Sequence, residues 1–166
     1  MTPYDLVLTP RGVRFMGRLF PCSIGKGGIT NTKREGDGAT PSGVHEIVGM
    51  LHRADRTAAP SPMSEVIGPG DLWSDAADDP LYNQMVRRPY NHSHERLFRA
   101  DPLYDLVLVT AWNWPVSTPG RGSAIFIHQW RRPGYPTEGC VAFRREHLHW
   151  IAKNLRAGSR LIIPQA

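Results

Sequence analysis

Cysteine is scarce in this chain: its 166 residues include only two, which excludes a fold held together by several disulfides. Cys22 and Cys140 could form one bridge at most, and we predict that both are free thiols. Long apolar runs are missing as well, since no stretch approaches the roughly 18 apolar residues of a membrane-spanning helix. Met1 to Asp5 leads directly into Leu6 without the basic and apolar segments of a signal peptide. We therefore expect no membrane span.

Compact runs of basic residues are also absent, although the chain is basic overall. Its net charge is +5 and its pI about 9.6, so its surface favours polyanions such as nucleic acid or an anionic cell envelope. The arginines occur as scattered pairs without interleaved aromatic residues, unlike a nucleic-acid-binding surface. We therefore predict no nucleic-acid partner.

Glycine and proline, in contrast, are plentiful. Sixteen glycines and fifteen prolines favour many short strands and turns over a helical bundle. The length predicts one domain over residues 1–166. Gly25-Lys-Gly-Gly28 lacks the order of a phosphate-binding loop and no helical pattern follows it, so we do not assign it to nucleotide binding. The fold class predicted is mainly β with short helices.

Regular patterns occur at both ends of the chain. Apolar spacing predicts a helix over residues 146–157 with Gly158 as its C-cap. Short apolar runs bounded by turn residues predict strands at residues 4–9, 13–20, 44–50, 104–110, 123–128 and 160–163.

The middle of the chain is less regular. Prolines, histidines and paired acids interrupt every apolar run in residues 51–100. A long irregular segment within a compact domain is typical of a lid or binding loop. We expect residues 51–100 to form a flap or insert beside the site, unless short helices are hidden there.

Two residues near the C-terminus suggest nucleophilic chemistry. His128 ends an apolar strand, and Cys140 follows twelve positions later, directly after Gly139. A cysteine nucleophile needs a neighbour that removes its proton, and His128 is the nearest candidate. Gly139 permits a tight turn that exposes the amides around Cys140, which could stabilise an oxyanion. The alternative is a buried, inert cysteine beside a core histidine.

Three motifs in order resemble the L,D-transpeptidase (YkuD-type) catalytic domain of bacterial cell-wall enzymes. Gly38-Ala-Thr-Pro-Ser-Gly43 matches the family's Gly-x-Thr-Pro-x-Gly turn, and Ile125-Phe-Ile-His128 matches the strand that ends in its base. Thr137-Glu-Gly-Cys-Val-Ala142 matches the family's nucleophile motif. The resemblance covers almost the whole chain and implies a mostly β sandwich or barrel.

The resemblance implies a peptidoglycan L,D-transpeptidase. Cys140 would be the nucleophile and His128 the base, oriented through a main-chain carbonyl near Gln129. The amides of Gly139 and Cys140 would form the oxyanion site. The expected partners are peptidoglycan stem peptides, and the family's fold needs neither a metal nor an organic cofactor. The substrate implies a periplasmic or cell-wall location, and we expect a monomer.

The nucleophile motif departs from the usual family pattern at two positions. Glu138 replaces a histidine and Ala142 replaces an arginine. A neighbouring basic residue, Arg144 or Arg145, could supply the missing cation, although such residues are usually solvent-facing. The substrate-binding candidates are Thr137, whose hydroxyl could equally serve a turn, and four residues of the irregular segment: Tyr90, His92, His94 and Glu95.

Three other functions remain open from the sequence. An L,D-carboxypeptidase or endopeptidase would share the same acyl-enzyme. A zinc protein could use the pairs His92/His94 and His147/His149 with Cys140, but two residues two apart on a helix diverge. A non-catalytic wall-binding module would have no need of both Cys140 and His128.

Overall fold

Short strands dominate the structure, a computed structural model that describes residues 1–166. It contains fifteen β-strands and one α-helix. In chain order the elements are β1 (Leu6–Thr9), β2 (Gly12–Phe15), β3 (Arg18–Phe20), β4 (Cys22–Ser23), β5 (Ile29–Thr30), β6 (Thr40–Pro41), β7 (Gly43–His52), β8 (Ser64–Val66), β9 (Asp71–Ser74), β10 (Met85–Arg87), β11 (His94–Arg96), β12 (Leu106–Thr110), β13 (Phe126–Gln129), β14 (Val141–Phe143), α1 (Arg145–Asn154) and β15 (Arg160–Ile163). The mainly β prediction is confirmed.

The main sheet has ten strands and curls back on itself. Nine follow the order β3-β2-β1-β15-β7-β12-β13-β14-β4, and β8 pairs with β7 beside this path. The strands β3 and β4 stand at opposite ends of the order, yet only Pro21 separates them in the chain. The two edges must therefore lie close together, which makes the sheet a nearly closed barrel.

Most predicted elements have different bounds in the structure. Strands β1, β12 and β13 begin two or three residues later than predicted, and β7 extends further at both ends. The run predicted over residues 13–20 divides into β2 and β3 because Met16 and Gly17 both adopt positive φ, at 48° and 73°, and form a turn. The helix ends at Asn154, three residues before the predicted end, because Leu155 is already extended. Gly158 is not its C-cap: it lies in the turn before β15, with φ of 79°.

Alternation along the strands divides the apolar residues between two clusters. On β12, Leu106 and Leu108 face the larger cluster, which α1 covers, while Val107 and Val109 face the smaller one. The smaller cluster also contains Phe126 of β13. Strand β12 is therefore buried on both faces, as its uniformly apolar sequence favours.

Residues 51–100 contain no helix; short strands interrupt an otherwise irregular chain. The central strand β9 pairs with β10 on one side and β11 on the other, both antiparallel. Trp73 of β9 packs edge-on against Phe126, with ring centroids 4.9 Å apart. This small sheet therefore covers the second apolar cluster.

No helix in the structure is long and apolar enough to span a bilayer.

Candidate active site

The pairing of β13 with β14 brings the two candidate chemical groups together. The strands are parallel, with His128 opposite Ala142 and Ile127 opposite Val141. Cys140 directly precedes β14, and the amide of Phe126 donates to its Sγ at 3.3 Å. Cys140 and His128 line the same cleft, of about 610 Å³.

His128 presents one ring nitrogen as a base. Its Nδ1 lies 2.7 Å from the carbonyl oxygen of Gln129. Because a carbonyl can only accept, Nδ1 carries the hydrogen and Nε2 keeps its lone pair. The ring also packs edge-on against Tyr104, with centroids 5.3 Å apart. Burial lowers the pKa of His128 to about 4, so the imidazole is neutral at neutral pH.

The thiol of Cys140 is held by the backbone of the neighbouring strand. Its Sγ donates to the carbonyl of Ala124 at 3.1 Å and accepts from Phe126. Burial, with a smaller contribution from Glu95, raises the pKa of Cys140 to about 12. No hydrogen bond joins this thiol to His128, and the shifted pKa values make the pair a neutral thiol and a neutral imidazole at neutral pH.

Thr137 organises the turn that carries the cysteine. Its hydroxyl donates to the carbonyl of Cys140 at 2.6 Å and accepts from the amide of Gly139 at 3.1 Å. The Gly139 amide is therefore already engaged, whereas the amide of Cys140 has no hydrogen-bond partner. Only one of the two amides expected to bind an oxyanion is free, and the Thr137 hydroxyl serves the turn.

A second threonine, Thr40, also holds this turn in place. The buried hydroxyl of Thr40 accepts from the amide of Gly25 at 2.8 Å and donates to the carbonyl of Gly139 at 2.9 Å. Gly139 has φ of 139°, and a β-carbon there would lie 2.9 Å from the carbonyl oxygen of Ala39. The Gly-x-Thr-Pro-x-Gly turn thus braces the loop that carries Cys140, a role that sequence reasoning missed although the motif itself was the signal.

Asn83 holds the segment before β13 whose carbonyl accepts the thiol's hydrogen bond. Its buried Oδ1 accepts from the amide of Ala124 at 3.0 Å and from the indole of Trp73 at 2.9 Å. Its Nδ2 donates to the carbonyls of Trp112 and Asn113 at 3.0 and 2.7 Å. Ala124 has a left-handed backbone, with φ of 51°. The small-sheet region therefore positions the carbonyl beside Sγ.

The proposed substrate-binding residues divide between the cleft and its surroundings. Thr137, His94 and Glu95 line the cleft. Tyr90 does not: its hydroxyl donates to the carboxylate of Asp79, and its ring packs against His92 and His94. His92 also lies outside the cleft.

The cations of the cleft differ from those expected. Arg144 pairs with Glu146 at 2.9 Å and Arg145 with Asp105 at 3.1 Å, and neither lines the cleft. Sequence reasoning missed the basic residues that line the cleft, because the loop between β5 and β6, strand β11, the 97–103 loop and the 130–137 loop meet only in the folded chain. They are Lys33, Arg96, Arg99 and Arg131.

The histidine pairs considered for zinc do not converge with the cysteine. No group of three or more histidine, cysteine or acidic side chains has an arrangement that could hold a metal ion.

Comparison with known families matches the chain to one of them. The profile of the YkuD family, described as the L,D-transpeptidase catalytic domain, matches residues 7–163. The chain belongs to this family. No significant match was found among curated proteins or among solved structures. In this family member, the motif that ends in His128 forms β13, and the motif that contains Cys140 forms the turn after Thr137.

Proposed function

We propose that this protein is a cysteine-dependent L,D-transpeptidase that cross-links peptidoglycan stem peptides. The observation that carries the proposal is the convergence of the Cys140 thiol and the free Nε2 of His128 on one cleft. Family membership supports the same reaction class. We further propose that the protein acts as a monomer, because one chain supplies both groups.

The first step acylates the cysteine. Nε2 of His128 takes the thiol proton, and the thiolate attacks the carbonyl of the third residue of a tetrapeptide stem. The unpartnered amide of Cys140 is placed to donate to the oxyanion that forms. When the intermediate collapses, His128 returns the proton to the departing D-alanine amine, leaving a thioester on Cys140.

The second step transfers the acyl group. A neutral amine from another stem attacks the thioester carbonyl and gives up a proton to His128. The carbon–sulfur bond then breaks, the sulfur recovers its proton, and an amide cross-link remains. Water in place of the amine would give an L,D-carboxypeptidase reaction.

The neutral state of the pair implies that substrate binding triggers proton transfer. Sγ donates to the Ala124 carbonyl, so the S–H bond must turn toward His128 before reaction. Exclusion of water by the stem peptide would strengthen the attraction between thiolate and imidazolium once they form.

The substrate defines where the enzyme works. Family members act on cell-wall peptidoglycan, which points to a location outside the cytoplasm. We propose the periplasm or cell wall, to be tested by fractionation of the native host.

The deciding experiment is mass spectrometry of purified disaccharide-tetrapeptide incubated with wild type or Cys140→Ala. We expect cysteine-dependent dimers that have lost one D-alanine. Monomers shortened by D-alanine would mean hydrolysis instead. No product with either protein would contradict the proposed function.

A further inference from the structure

A carboxyl group on the cleft wall has no cationic partner. Glu95 lies on β11, where its backbone pairs with Trp73 of β9. It lines the same cleft as Cys140 and His128. The sheet pairing fixes its backbone, so this group is held beside the nucleophile rather than on a free loop.

A single hydrogen bond fixes the Glu95 side chain. Its Oε2 accepts from the hydroxyl of Tyr104 at 2.6 Å, while Oε1 makes no hydrogen bond. Tyr104 is itself buried between His128 and Phe126, with ring centroids 5.3 and 5.9 Å away. One carboxyl oxygen is therefore anchored and the other is available.

No basic residue nearby forms an ion pair with this carboxyl. Arg99 forms its ion pair with Asp101 at 2.6 Å, and neither Arg99 nor Arg96 lies within ion-pair distance of Glu95. Burial raises the pKa of Glu95, which the Tyr104 hydrogen bond opposes. A cationic group entering the cleft would stabilise the carboxylate and find a ready partner.

We propose that Glu95, anchored by Tyr104, forms a binding site for the protonated primary amine of a stem peptide. This inference rests on the proposed function and specifies how its substrate is recognised. Such an amine is carried by the diaminopimelate side chain of the stem. The donor stem and the acceptor stem both carry this amine, and a carboxylate would bind it in the same way in either stem.

Two cationic residues of the same cleft could bind the carboxylate at the end of the diaminopimelate side chain. Arg96 and Arg131 are exposed, line the cleft and have no ion pair. A side chain that ends in an amine and a carboxylate thus meets a carboxylate and free guanidinium groups in one cleft.

Binding measurements without turnover test the site directly. In the Cys140→Ala background, calorimetry would compare Glu95 with Glu95→Gln, using disaccharide-tetrapeptide with its side-chain amine free or acetylated. We expect Glu95→Gln to weaken binding of the free-amine ligand about tenfold and to leave the acetylated ligand unaffected. Tyr104→Phe should also weaken binding of the free-amine ligand, by a smaller factor.

Glu138→Gln is the matched control. Glu138 lines the cleft and carries the same charge, but it is exposed and already paired with Lys26 at 2.8 Å. Its removal changes the net charge of the protein by the same amount. If Glu138→Gln weakens binding of the free amine as much as Glu95→Gln does, long-range charge explains the effect and the inference is wrong.

Two rate measurements identify which stem the amine belongs to. Intact-protein mass spectrometry would follow thioester formation on Cys140 in wild type and Glu95→Gln, and then its discharge by a second stem. A slower first step in the Glu95→Gln protein identifies the donor amine, and a slower second step alone identifies the acceptor.

Failure of the inference and failure of the proposed function give different results. If Cys140→Ala binds free and acetylated ligands equally well, Glu95 does not recognise the amine, although the stem remains the substrate. If Cys140→Ala binds neither ligand and wild type forms no thioester, both proposals are wrong.

Discussion

The carbonyl oxygen of Gln129 accepts the hydrogen of Nδ1 in His128 at 2.7 Å, so the backbone rather than a side chain sets the tautomer of the histidine. In many hydrolases a carboxylate makes this contact and stabilises the imidazolium as well. A neutral carbonyl orients the ring with less influence on its charge. Burial, rather than this hydrogen bond, keeps the imidazole neutral at neutral pH.

Gln129→Ala should therefore keep kcat/KM within about threefold of wild type, because the carbonyl remains in place. The Gln129 side chain makes only a long contact, 3.4 Å, with Arg145. His128→Ala should lose about a hundredfold or more, as general bases do. Steady-state rates with a tetrapeptide stem would measure both. A Gln129→Ala enzyme as inactive as Cys140→Ala would contradict the backbone role.

Thr40→Val should destabilise the fold and slow the reaction. It leaves the Gly25 amide and the Gly139 carbonyl without their buried partner, which costs about 2–4 kcal/mol of unfolding free energy. Thr40→Ser keeps the hydroxyl and should lose much less. Urea denaturation would measure the difference, and equal losses in both variants would show that the methyl group matters as much as the hydrogen bonds.

Asn83→Ala should be among the more damaging substitutions outside the cleft. It removes four hydrogen bonds at a buried residue and leaves the amide of Ala124 unpaired. We expect a loss of about 3 kcal/mol in unfolding free energy, together with slower acylation of Cys140. Leu81→Ala, at a half-exposed side chain, is the control and should change stability by less than about 1 kcal/mol. Comparable losses of unfolding free energy in Asn83→Ala and Leu81→Ala would show that any substitution in this segment destabilises the fold.

Acid should weaken the fold through His128. Its pKa is about 4 when folded and 6.5 for a free histidine, so between these values the unfolded chain binds more protons. Unfolding free energy should fall as pH drops from about 6.5 to 4, by up to about 3 kcal/mol from this group. His45 and His149, whose pKa values burial also lowers, add to the trend.

The difference between wild type and His128→Asn isolates this contribution. Urea titrations at several pH values should show a shallower pH dependence in the variant. Parallel curves for the two proteins would mean that His128 is protonated in the fold at higher pH than its burial implies.

Both thiols should react slowly in the native protein. Burial raises the pKa of Cys22 to about 11 and that of Cys140 to about 12, so little thiolate exists at neutral pH. Iodoacetamide at pH 7 followed by mass spectrometry should show slow labelling of both. Unfolding without reductant should release two reactive thiols, since both cysteines are free. Fewer than two would reveal a disulfide.

The sequence predicted those parts of the molecule that local patterns specify. The strand at residues 104–110 is rich in β-branched and apolar residues, and the helix after Arg144 has a clear apolar spacing. His128 and Cys140 stood out because their motifs are continuous in the chain. Each of these features depends on near neighbours in sequence.

Features that depend on distant residues were not predictable. The strands β9 to β11 have three or four residues each and gain stability only by pairing across loops that contain prolines. Tyr90 is aromatic and lies near His94 in the sequence, which favours a role in substrate binding. In the structure its hydroxyl donates to Asp79, and the residue lies outside the cleft. The bracing role of Thr40 likewise requires contact with a residue 99 positions away.

Asn83 also limits how far this enzyme could be shortened. Its four hydrogen bonds join the central region of the chain to the backbone on which the cysteine rests. A miniaturised variant that replaced residues 75–90 with a short linker would keep Cys140 and His128 yet lose the support of Ala124. Any such design must therefore supply a new hydrogen-bond acceptor for the Ala124 amide to keep the backbone beside Cys140 in place.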